Sequence, residues 1–301
     1  MLIDKQFTNT EKEYSEIKDF LERMKEIRDF DDCWDPGRMD WWRYNYHAEK
    51  LVDFFMENTH YWKDGDKVIG LFISEYGKND FFAVADPSYE NLLTEILEWG
   101  EKVWAEDKDE IITSIFSYDK DKINSFKDRN YVEAGQDGNL YFYDLTDYDF
   151  EYELKSGFEI KTFFEYRNYE QRVEVARNSF NNPNISETKV RSLQSSPEYN
   201  KDLELLTITP EGKAAGYCIG WAEEKDKTKG YIEPIGVHSD YRKMGFGKAM
   251  AKEAFKRLKN LGVETATIAS AAEPEVSNYL YKSLKPFNVQ RMFNYKKVLK
   301  K

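Results

Sequence analysis

The spacing of apolar residues in the second half of the chain changes at a glycine-rich turn. Residues 231–237 form a β-rich apolar run that ends in the polar segment 238–241. Beyond Gly245 and Gly247, apolar side chains recur every three or four residues, the spacing of a helix with one buried face. The pattern predicts a strand, a loop, a glycine turn and a helix with Phe246, Met250, Ala254, Leu258 and Leu261 on that face.

The two halves of the chain repeat one order of predicted elements. The first half has a hairpin, a strand, a helix, a strand, a short helix and a closing strand, at residues 62–73, 81–84, 90–104, 110–118, 122–127 and 141–143. The second half has the same order, at residues 205–219, 231–237, from 246 onward, 264–271, 276–282 and 293–295. A period near 150 residues is too long for a solenoid repeat. It predicts two like domains in tandem, at residues 1–148 and 153–301.

Other segments are predicted from the same patterns. Residues 4–32 are charged, with apolar positions at the spacing of a short amphipathic helix. The second half opens with a strand at 158–162 and a helix at about 169–180, followed by a polar, partly helical region at 185–200. The joining segment 146–155 is charged rather than rich in Gly and Ser, so we expect the domains to be packed together.

The glycine turn has the chemistry of an anion site. Glycine lets the backbone approach a ligand closely and take unusual dihedrals. The first amides of a helix lack intrahelical partners, and its dipole is positive there. Three cations, Arg242, Lys243 and Lys248, lie at the same turn, which therefore suits a pyrophosphate. The alternative is a glycine turn that enters an ordinary helix on a basic surface.

The surrounding residues carry a resemblance to a known family. The stretch from Glu233 to Gly247, with its Arg-x-x-Gly-x-Gly spacing, resembles the signature of the GNAT superfamily of acyl-CoA N-acyltransferases. Asn278, three residues before Tyr281, resembles the second signature of that family, although Lys285-Pro286-Phe287 stands where the family has Gly-Phe. The resemblance is specific over residues 203–298. It implies an α+β fold of two tandem GNAT-like domains, each a mixed, mostly antiparallel twisted sheet flanked by helices.

The resemblance also implies a cofactor site and a reaction. It assigns acetyl-CoA as co-substrate, without a metal, to the strand, the turn, the helix start and the pantetheine-binding asparagine: Ile235, Gly236, Val237, Arg242, Lys243, Met244, Gly245, Phe246, Gly247, Lys248 and Asn278. An amine attacks the thioester carbonyl, whose oxyanion is held by backbone amides around residues 235–237.

Two side chains are candidates for proton transfer in that reaction. Glu233 is the candidate base, directly or through water, because the attacking amine must be deprotonated. Its alternative role is that of a strand-end carboxylate with a structural partner. Tyr281 is the candidate acid that protonates the leaving thiolate, and its alternative is a buried helical tyrosine.

The first half lacks the features of this site. Residues 87–92 replace the glycine turn, contain no glycine and place Glu90 near the helix start, where a carboxylate would repel phosphate. Phe126 falls where Tyr281 falls, and Ile123 falls where Asn278 falls. The first domain is therefore interpreted as a degenerate GNAT-like domain with an acceptor-side or structural role.

Charge is distributed unevenly between the halves. Residues 1–150 hold 18 Lys+Arg and 36 Asp+Glu, a net −18, and residues 151–301 hold the remaining 26 and 20, a net +6, which sum to −12. Nucleic acid is excluded as a partner because no basic stripe exists outside the glycine turn. No apolar run could span a bilayer, and the N-terminus has no apolar core of a signal peptide. Two distant cysteines and three scattered histidines predict a cytoplasmic protein without disulfides or zinc.

Tryptophans and acids alternate in residues 33–47. Asp35, Asp40, Trp41 and Trp42 could bind a cationic acceptor through carboxylates and ring faces. The alternative is that these aromatic residues fill the core of a small domain.

The sequence predicts an N-acetyltransferase that moves an acetyl group from acetyl-CoA to a primary amine of a small molecule or peptide, which could be cationic. The other hypothesis is an acyl-CoA-binding regulatory or interaction protein without turnover. Neither the acceptor nor the oligomeric state follows from the sequence.

Overall fold

The computed structural model describes residues 2–28, 33–223, 225–273 and 275–299. The fold is α+β, with mixed, mostly antiparallel sheets flanked by helices. The chain forms two compact units that do not follow chain order. Unit 1 comprises residues 1–43, 49–137 and 290–301, and unit 2 comprises residues 44–48 and 138–289.

The first half of the chain contains six strands and five α-helices within the residues described. In chain order they are β1 (Leu2–Gln6), α1 (Glu11–Arg28), α2 (Pro36–Trp41), α3 (Val52–Asn58), β2 (Thr59–Asp64), β3 (Lys67–Ile73), β4 (Phe82–Ala85), α4 (Leu92–Trp99), β5 (Glu110–Phe116), α5 (Lys120–Asp128) and β6 (Val132–Asp144). A π-helical turn follows α2, and another follows α4.

The second half contains the remaining described elements. In chain order they are β7 (Glu159–Thr162), α6 (Phe163–Tyr166), α7 (Tyr169–Phe180), α8 (Glu187–Leu193), β8 (Glu204–Ile208), β9 (Ala214–Ala222), β10 (Lys229–Val237), α9 (Phe246–Asn260), β11 (Thr265–Ala271), α10 (Glu275–Ser283) and β12 (Asn288–Val298). A 3-10 turn, Ser239–Tyr241, lies between β10 and α9.

Unit 1 is built on antiparallel pairing. Strands β1, β2, β3 and β4 pair in that order, and β5 pairs with β12. The alternating apolar residues of these strands and of α4 and α5 enclose a core rich in aromatic rings, including Trp62, Phe72, Phe81, Phe126 and Tyr131. Large rings bury much apolar area each, so they dominate the stability of this unit.

Unit 2 contains one sheet in which residues 138–144 of β6 pair with β11, followed by β10, β9, β8 and β7. The β10–β11 pair is parallel and the others are antiparallel. One face of this sheet packs on α9 through residues such as Met250, Phe255 and Leu258. The other face packs on α7 through Val175 and Ala176. Alternation along a strand therefore decides which helix a side chain meets.

The predicted elements of both halves are confirmed, with one difference in strand pairing. The strands predicted at 141–143 and 293–295 exist, but each pairs with a strand from the other half of the chain: β6 with β11, and β12 with β5. The closing strands are thus exchanged between halves. Local patterning does not distinguish these partners, since both strands carry alternating apolar residues. The helix predicted within 4–32 is α1, but it begins only at Glu11, and residues 4–6 belong to strand β1 instead. The predicted last residues, 29–32, lie outside the described part of the chain.

Candidate active site

Strand β10 carries an irregularity in the middle of the sheet of unit 2. Its register with β9 shifts between Ile232 and Ile235, where Glu233 and Pro234 oppose a single residue of β9. Its parallel pairing with β11 covers only Lys229 to Tyr231 among the described residues. Strand β10 therefore separates from β11 beyond Tyr231. We call the space beside residues 232–237 the strand gap.

Two backbone amides of β10 point toward the strand gap. The amide of His238 donates to Ala215 O of β9 at 2.9 Å. Because hydrogen-bonding directions alternate along a strand, Gly236 also faces β9, and Ile235 and Val237 direct their N–H groups to the opposite side. Backbone donors fixed on one side of a polar gap can stabilise negative charge on an oxygen placed there.

The glycine turn at the end of β10 has the backbone conformation that the sequence predicts. Lys243 and Gly245 both have left-handed φ angles, +63° and +83°, and Gly245 immediately precedes α9. A Cβ on Gly247 would lie 3.0 Å from Leu280 Cδ2 and 3.6 Å from Val237 Cγ2. The first turn of α9 therefore lies close against β10 and α10, with its amides at the end of the strand gap.

The cationic side chains at the turn differ in what they contact. Arg242 donates from Nε to Val237 O at 3.3 Å and from Nη2 to Ser179 O at 3.1 Å. Arg242 thus joins the end of α7 to the end of β10, while Lys243 and Lys248 are exposed. These three cations and the helix dipole make the turn electropositive.

Two apolar residues of the predicted cofactor site have different environments. Phe246 is buried and packs on the ring of Phe158, with centroids 4.7 Å apart. Its side chain therefore fills the core below the turn, and its backbone amide is the part that faces outward with the first turn of α9. Met244 is half-buried in the turn.

Glu233 and Tyr281 lie close enough to influence each other electrostatically. Tyr281 is 6% exposed on α10, and Glu233 is half-buried on β10. Burial, and then the negative charge of Glu233, raises the pKa of the Tyr281 phenol above its usual value. The phenol is consequently protonated at neutral pH and can act as a hydrogen-bond donor.

The side-chain amide of Asn278, the predicted pantetheine contact, makes four hydrogen bonds within the protein. Its Nδ2 donates to Ala271 O and Ala272 O at 3.0 and 3.1 Å. Its Oδ1 accepts from Tyr141 OH at 2.7 Å and from Asn139 Nδ2 at 3.1 Å. Both donors and both acceptor positions of the amide are thus used within unit 2. The contacts give Asn278 a positioning role, because they fix α10, and with it Tyr281, to β11 and β6.

The aromatic and acidic candidates in unit 1 contribute to its core. Asp40 is 1% exposed and binds the Tyr14 hydroxyl and, at 3.1 Å, Lys18 Nζ. Trp42 is fully buried and donates from Nε1 to Glu75 O at 3.2 Å. Trp41 is also buried. These contacts agree with the alternative that the aromatic residues of this segment fill the core of a small domain, and they direct the side chains away from solvent.

Asp35 has a local role at a helix start. It is the N-cap of α2, and its side chain accepts from the backbone amide of Arg38 at 2.7 Å. Such caps satisfy an amide that has no partner within the helix.

Unit 1 differs from unit 2 at the start of its helix α4 and in an aromatic core. Helix α4 starts after Asn91 without a glycine turn. The ring of Phe81 stacks on Phe72 and on Phe126, with centroids 5.1 and 6.2 Å apart, and Tyr131 packs beside them. Phe126, the counterpart of Tyr281, is fully buried.

Sequence reasoning missed the residues that hold the site in place. Tyr141 and Asn139 belong by chain position to the first half, yet they bond Asn278 in unit 2. Only the strand exchange brings them there, and no sequence signal indicated it. Ser179 on α7 was also missed, since a single serine near a helix end has no distinctive pattern.

The described residues lack two other kinds of site. No group of three or more His, Cys, Asp or Glu side chains among them could hold a metal ion. No described helix is both long and apolar enough to cross a bilayer.

Comparison with known proteins locates the similarity in the part of the chain that carries the strand gap. Residues 171–284 match the sequence profile of the Acetyltransferase (GNAT) family. None of the curated proteins compared matches the chain.

Solved structures share the fold over the whole chain. A GCN5-related N-acetyltransferase from Sphaerobacter thermophilus aligns with a TM-score of 0.67 at 16% identity, covering 100% of this chain and 96% of the other. A tandem GNAT protein from the clavulanic acid biosynthesis pathway aligns with a TM-score of 0.66 at 10% identity, covering 100% and 99%. A GNAT-family acetyltransferase from Colwellia psychrerythraea aligns with a TM-score of 0.64 at 7% identity, covering 98% and 100%. At these identities the likeness concerns the fold alone.

Proposed function

We propose that the chain transfers an acetyl group from acetyl-CoA to a primary amine, because residues 171–284 match the Acetyltransferase (GNAT) family and solved GNAT structures share its fold. The acceptor is a small molecule or a peptide, and the amine attacks the thioester directly. The observation that carries the proposal is the strand gap, where the amides of Ile235 and Val237 face the side that β11 leaves open.

The co-substrate is proposed to bind along β10 and the start of α9. The pyrophosphate would contact the first amides of α9, where Gly245 leaves open space beside the backbone and Lys243 and Lys248 supply positive charge. Anions bind well at such a position because the helix dipole and the unpaired amides both favour negative charge. The thioester would then lie in the strand gap.

The chemistry follows from the groups around the gap. The amine nitrogen forms a bond to the thioester carbon, and the carbonyl oxygen becomes an oxyanion within reach of the amides of Ile235 and Val237. Glu233 accepts the proton of the attacking amine, directly or through water. The C–S bond then breaks, and the sulfur accepts a hydrogen bond and finally the proton of the Tyr281 hydroxyl. The proton held by Glu233 then returns to the Tyr281 oxygen, directly or through water, and restores both groups.

The raised pKa of Tyr281 defines its part in this step. A phenol whose pKa lies above its usual value stays protonated in the resting enzyme but transfers its proton fully only at a cost. Tyr281 therefore suits a role in which it donates a hydrogen bond to the sulfur as negative charge develops there. The nearby carboxylate of Glu233 holds the proton that the amine releases, so the two groups divide acid and base work.

Unit 1 is proposed to bind no acetyl-CoA. Its helix α4 has no glycine turn, and its core is packed with aromatic rings such as those of Phe81 and Phe126. We expect one acetyl-CoA site per chain. The proposal locates the reaction in the cytoplasm, in agreement with a sequence that lacks a disulfide framework.

Thiol release from acetyl-CoA tests the proposal. The purified chain is incubated with acetyl-CoA and, in turn, glucosamine, spermidine, lysine and a tripeptide, and each acetylated product is identified by its mass. Amine-dependent thiol release by the wild type, absent from a Gly247→Glu variant, supports acetyl transfer. Acetyl-CoA binding without turnover on any amine would contradict it and favour an acyl-CoA-binding regulatory protein.

A further inference from the structure

A buried hydroxyl without a partner lies beside the strand gap. Ser179 is the penultimate residue of α7, and its Oγ is buried without a hydrogen-bond partner among the residues that the structure describes. A serine in a helix ordinarily bonds a carbonyl of the preceding turn or faces water. A buried hydroxyl that does neither is unfavourable in the resting protein, so the site suits a polar ligand.

Its neighbours hold the end of α7 rigidly on β10 and the loop that follows it. Asn178 Oδ1 accepts from the amide of Ser239 at 2.6 Å. The Ser179 carbonyl oxygen accepts from Arg242 Nη2 at 3.1 Å. The position of the hydroxyl is thus fixed from both sides, as expected of a group that is preorganised for binding.

The hydroxyl lies directly over Gly236. A Cβ on Gly236 would lie 2.7 Å from Ser179 Cβ and 3.0 Å from Ser179 Oγ. Gly236 lies between Ile235 and Val237, whose side chains pack with the α9 cluster. Alternation therefore places Ser179 on the opposite face of β10, away from the glycine turn and α9.

The ring of Phe180 covers the same point. Its Cε2 would lie 3.0 Å from a Cβ on Gly236, and the side chain is 47% exposed. An exposed ring at a helix end can change rotamer quickly and with little loss of packing. A ligand entering from the α7 face would displace this ring and reach the Ser179 hydroxyl.

We propose that Ser179 binds the acceptor amine, with its Oγ accepting a hydrogen from the nitrogen that attacks the thioester. This inference rests on the proposed acetyl transfer and adds the face of β10 from which the acceptor approaches. The hydrogen bond orients the nitrogen lone pair toward the carbonyl carbon held in the strand gap.

The test compares Ser179→Ala with a matched control. The control is Thr207→Val, which removes another fully buried hydroxyl without a described partner, on β8 of the same unit. Steady-state kinetics use the best amine of the panel of glucosamine, spermidine, lysine and a tripeptide, and melting curves report stability. We expect Ser179→Ala to raise the acceptor KM about 3- to 10-fold, the effect of losing one hydrogen bond. Its acetyl-CoA KM should equal that of the wild type, and its melting temperature should match or exceed the wild-type value. Thr207→Val should leave both KM values unchanged.

The outcomes separate this inference from the proposed function. An active wild type whose acceptor KM is unmoved by Ser179→Ala overturns the inference and leaves acetyl transfer standing. A raised acetyl-CoA KM, or a lower melting temperature with unchanged kinetics, would make Ser179 an acyl-CoA contact or a structural residue and would also overturn it. A wild type that acetylates no amine of the panel refutes the proposed function and this inference together.

Discussion

Replacing Asn278 by alanine tests whether its amide holds the protein together or binds the co-substrate. The substitution removes four hydrogen bonds, two to carbonyls at the end of β11 and two from Asn139 and Tyr141. The Ala271 carbonyl lies in an exposed residue and Asn139 is half-exposed, so water can replace those bonds. Tyr141 is fully buried, and its hydroxyl would be left without a partner.

The expected loss of stability follows from these environments. An unsatisfied buried hydroxyl costs about 1–3 kcal/mol, and each rehydrated bond costs less than about 1 kcal/mol. We therefore expect Asn278→Ala to lower the free energy of unfolding of unit 2 by about 2–4 kcal/mol. Urea denaturation, followed by circular dichroism, measures this loss, and calorimetry with acetyl-CoA should find an affinity close to that of the wild type in the folded variant.

A double-mutant cycle isolates the buried hydroxyl. Tyr141→Phe alone removes that group and keeps the ring, so it should cost about 1 kcal/mol. The double variant should then be less destabilised than the sum of the two single changes, because no buried hydroxyl remains unpaired. An Asn278→Ala variant as stable as the wild type but with weakened acetyl-CoA binding would refute this reasoning and return the amide to the ligand.

Three further predictions concern the site and unit 1. Gly247→Glu should weaken acetyl-CoA binding about 100-fold or more. The introduced carboxylate and the pyrophosphate, at about 5 Å, would repel each other by about 3 kcal/mol at an effective dielectric constant near 20. Calorimetry that finds two acetyl-CoA sites in the wild type would contradict a single site. Tyr281→Phe should preserve acetyl-CoA affinity and lower kcat about 10- to 1000-fold. Because the pKa of the Tyr281 phenol is raised in the folded protein, loss of its proton should not lower the wild-type kcat below about pH 10. Asp40→Asn should destabilise unit 1 by about 3 kcal/mol, because it removes one charge of the buried ion pair with Lys18. An altered acceptor KM in the folded variant would instead favour binding of a cationic acceptor by Asp40 and its neighbouring tryptophans.

The helix start at the candidate site could be predicted from the sequence because its causes are local. A left-handed residue before a helix favours glycine, and Gly245 supplies it within the same few residues that supply the cations. The apolar spacing after Phe246 likewise specifies one buried face of α9 without reference to its partner. Only Leu261 of the predicted face is wrong, because α9 ends at Asn260 and the side chain of Leu261 is exposed. The tandem repeat followed from the order of elements, each of which is a local pattern.

The exchange of strands between the halves, and the contacts of several side chains, could be recognised only from the tertiary structure. β6 and β12 are both alternating strands, and which partner each one takes depends on pairing across well over a hundred residues of chain. That choice brings Tyr141 and Asn139 to Asn278, where both bond its side-chain oxygen.

Burial likewise distinguished between alternative roles of residues that the sequence left open. Asp40 and Trp42 are compatible with a cation-binding surface in sequence, and only their enclosure with Lys18 and Glu75 makes them core residues. Ser179 has no distinctive sequence context, and its importance arises from Gly236, which allows α7 to approach β10 closely. Local composition thus determined which elements form, while long-range packing determined which polar groups are satisfied within the fold and which, like the Ser179 hydroxyl over Gly236, have no partner among the described residues.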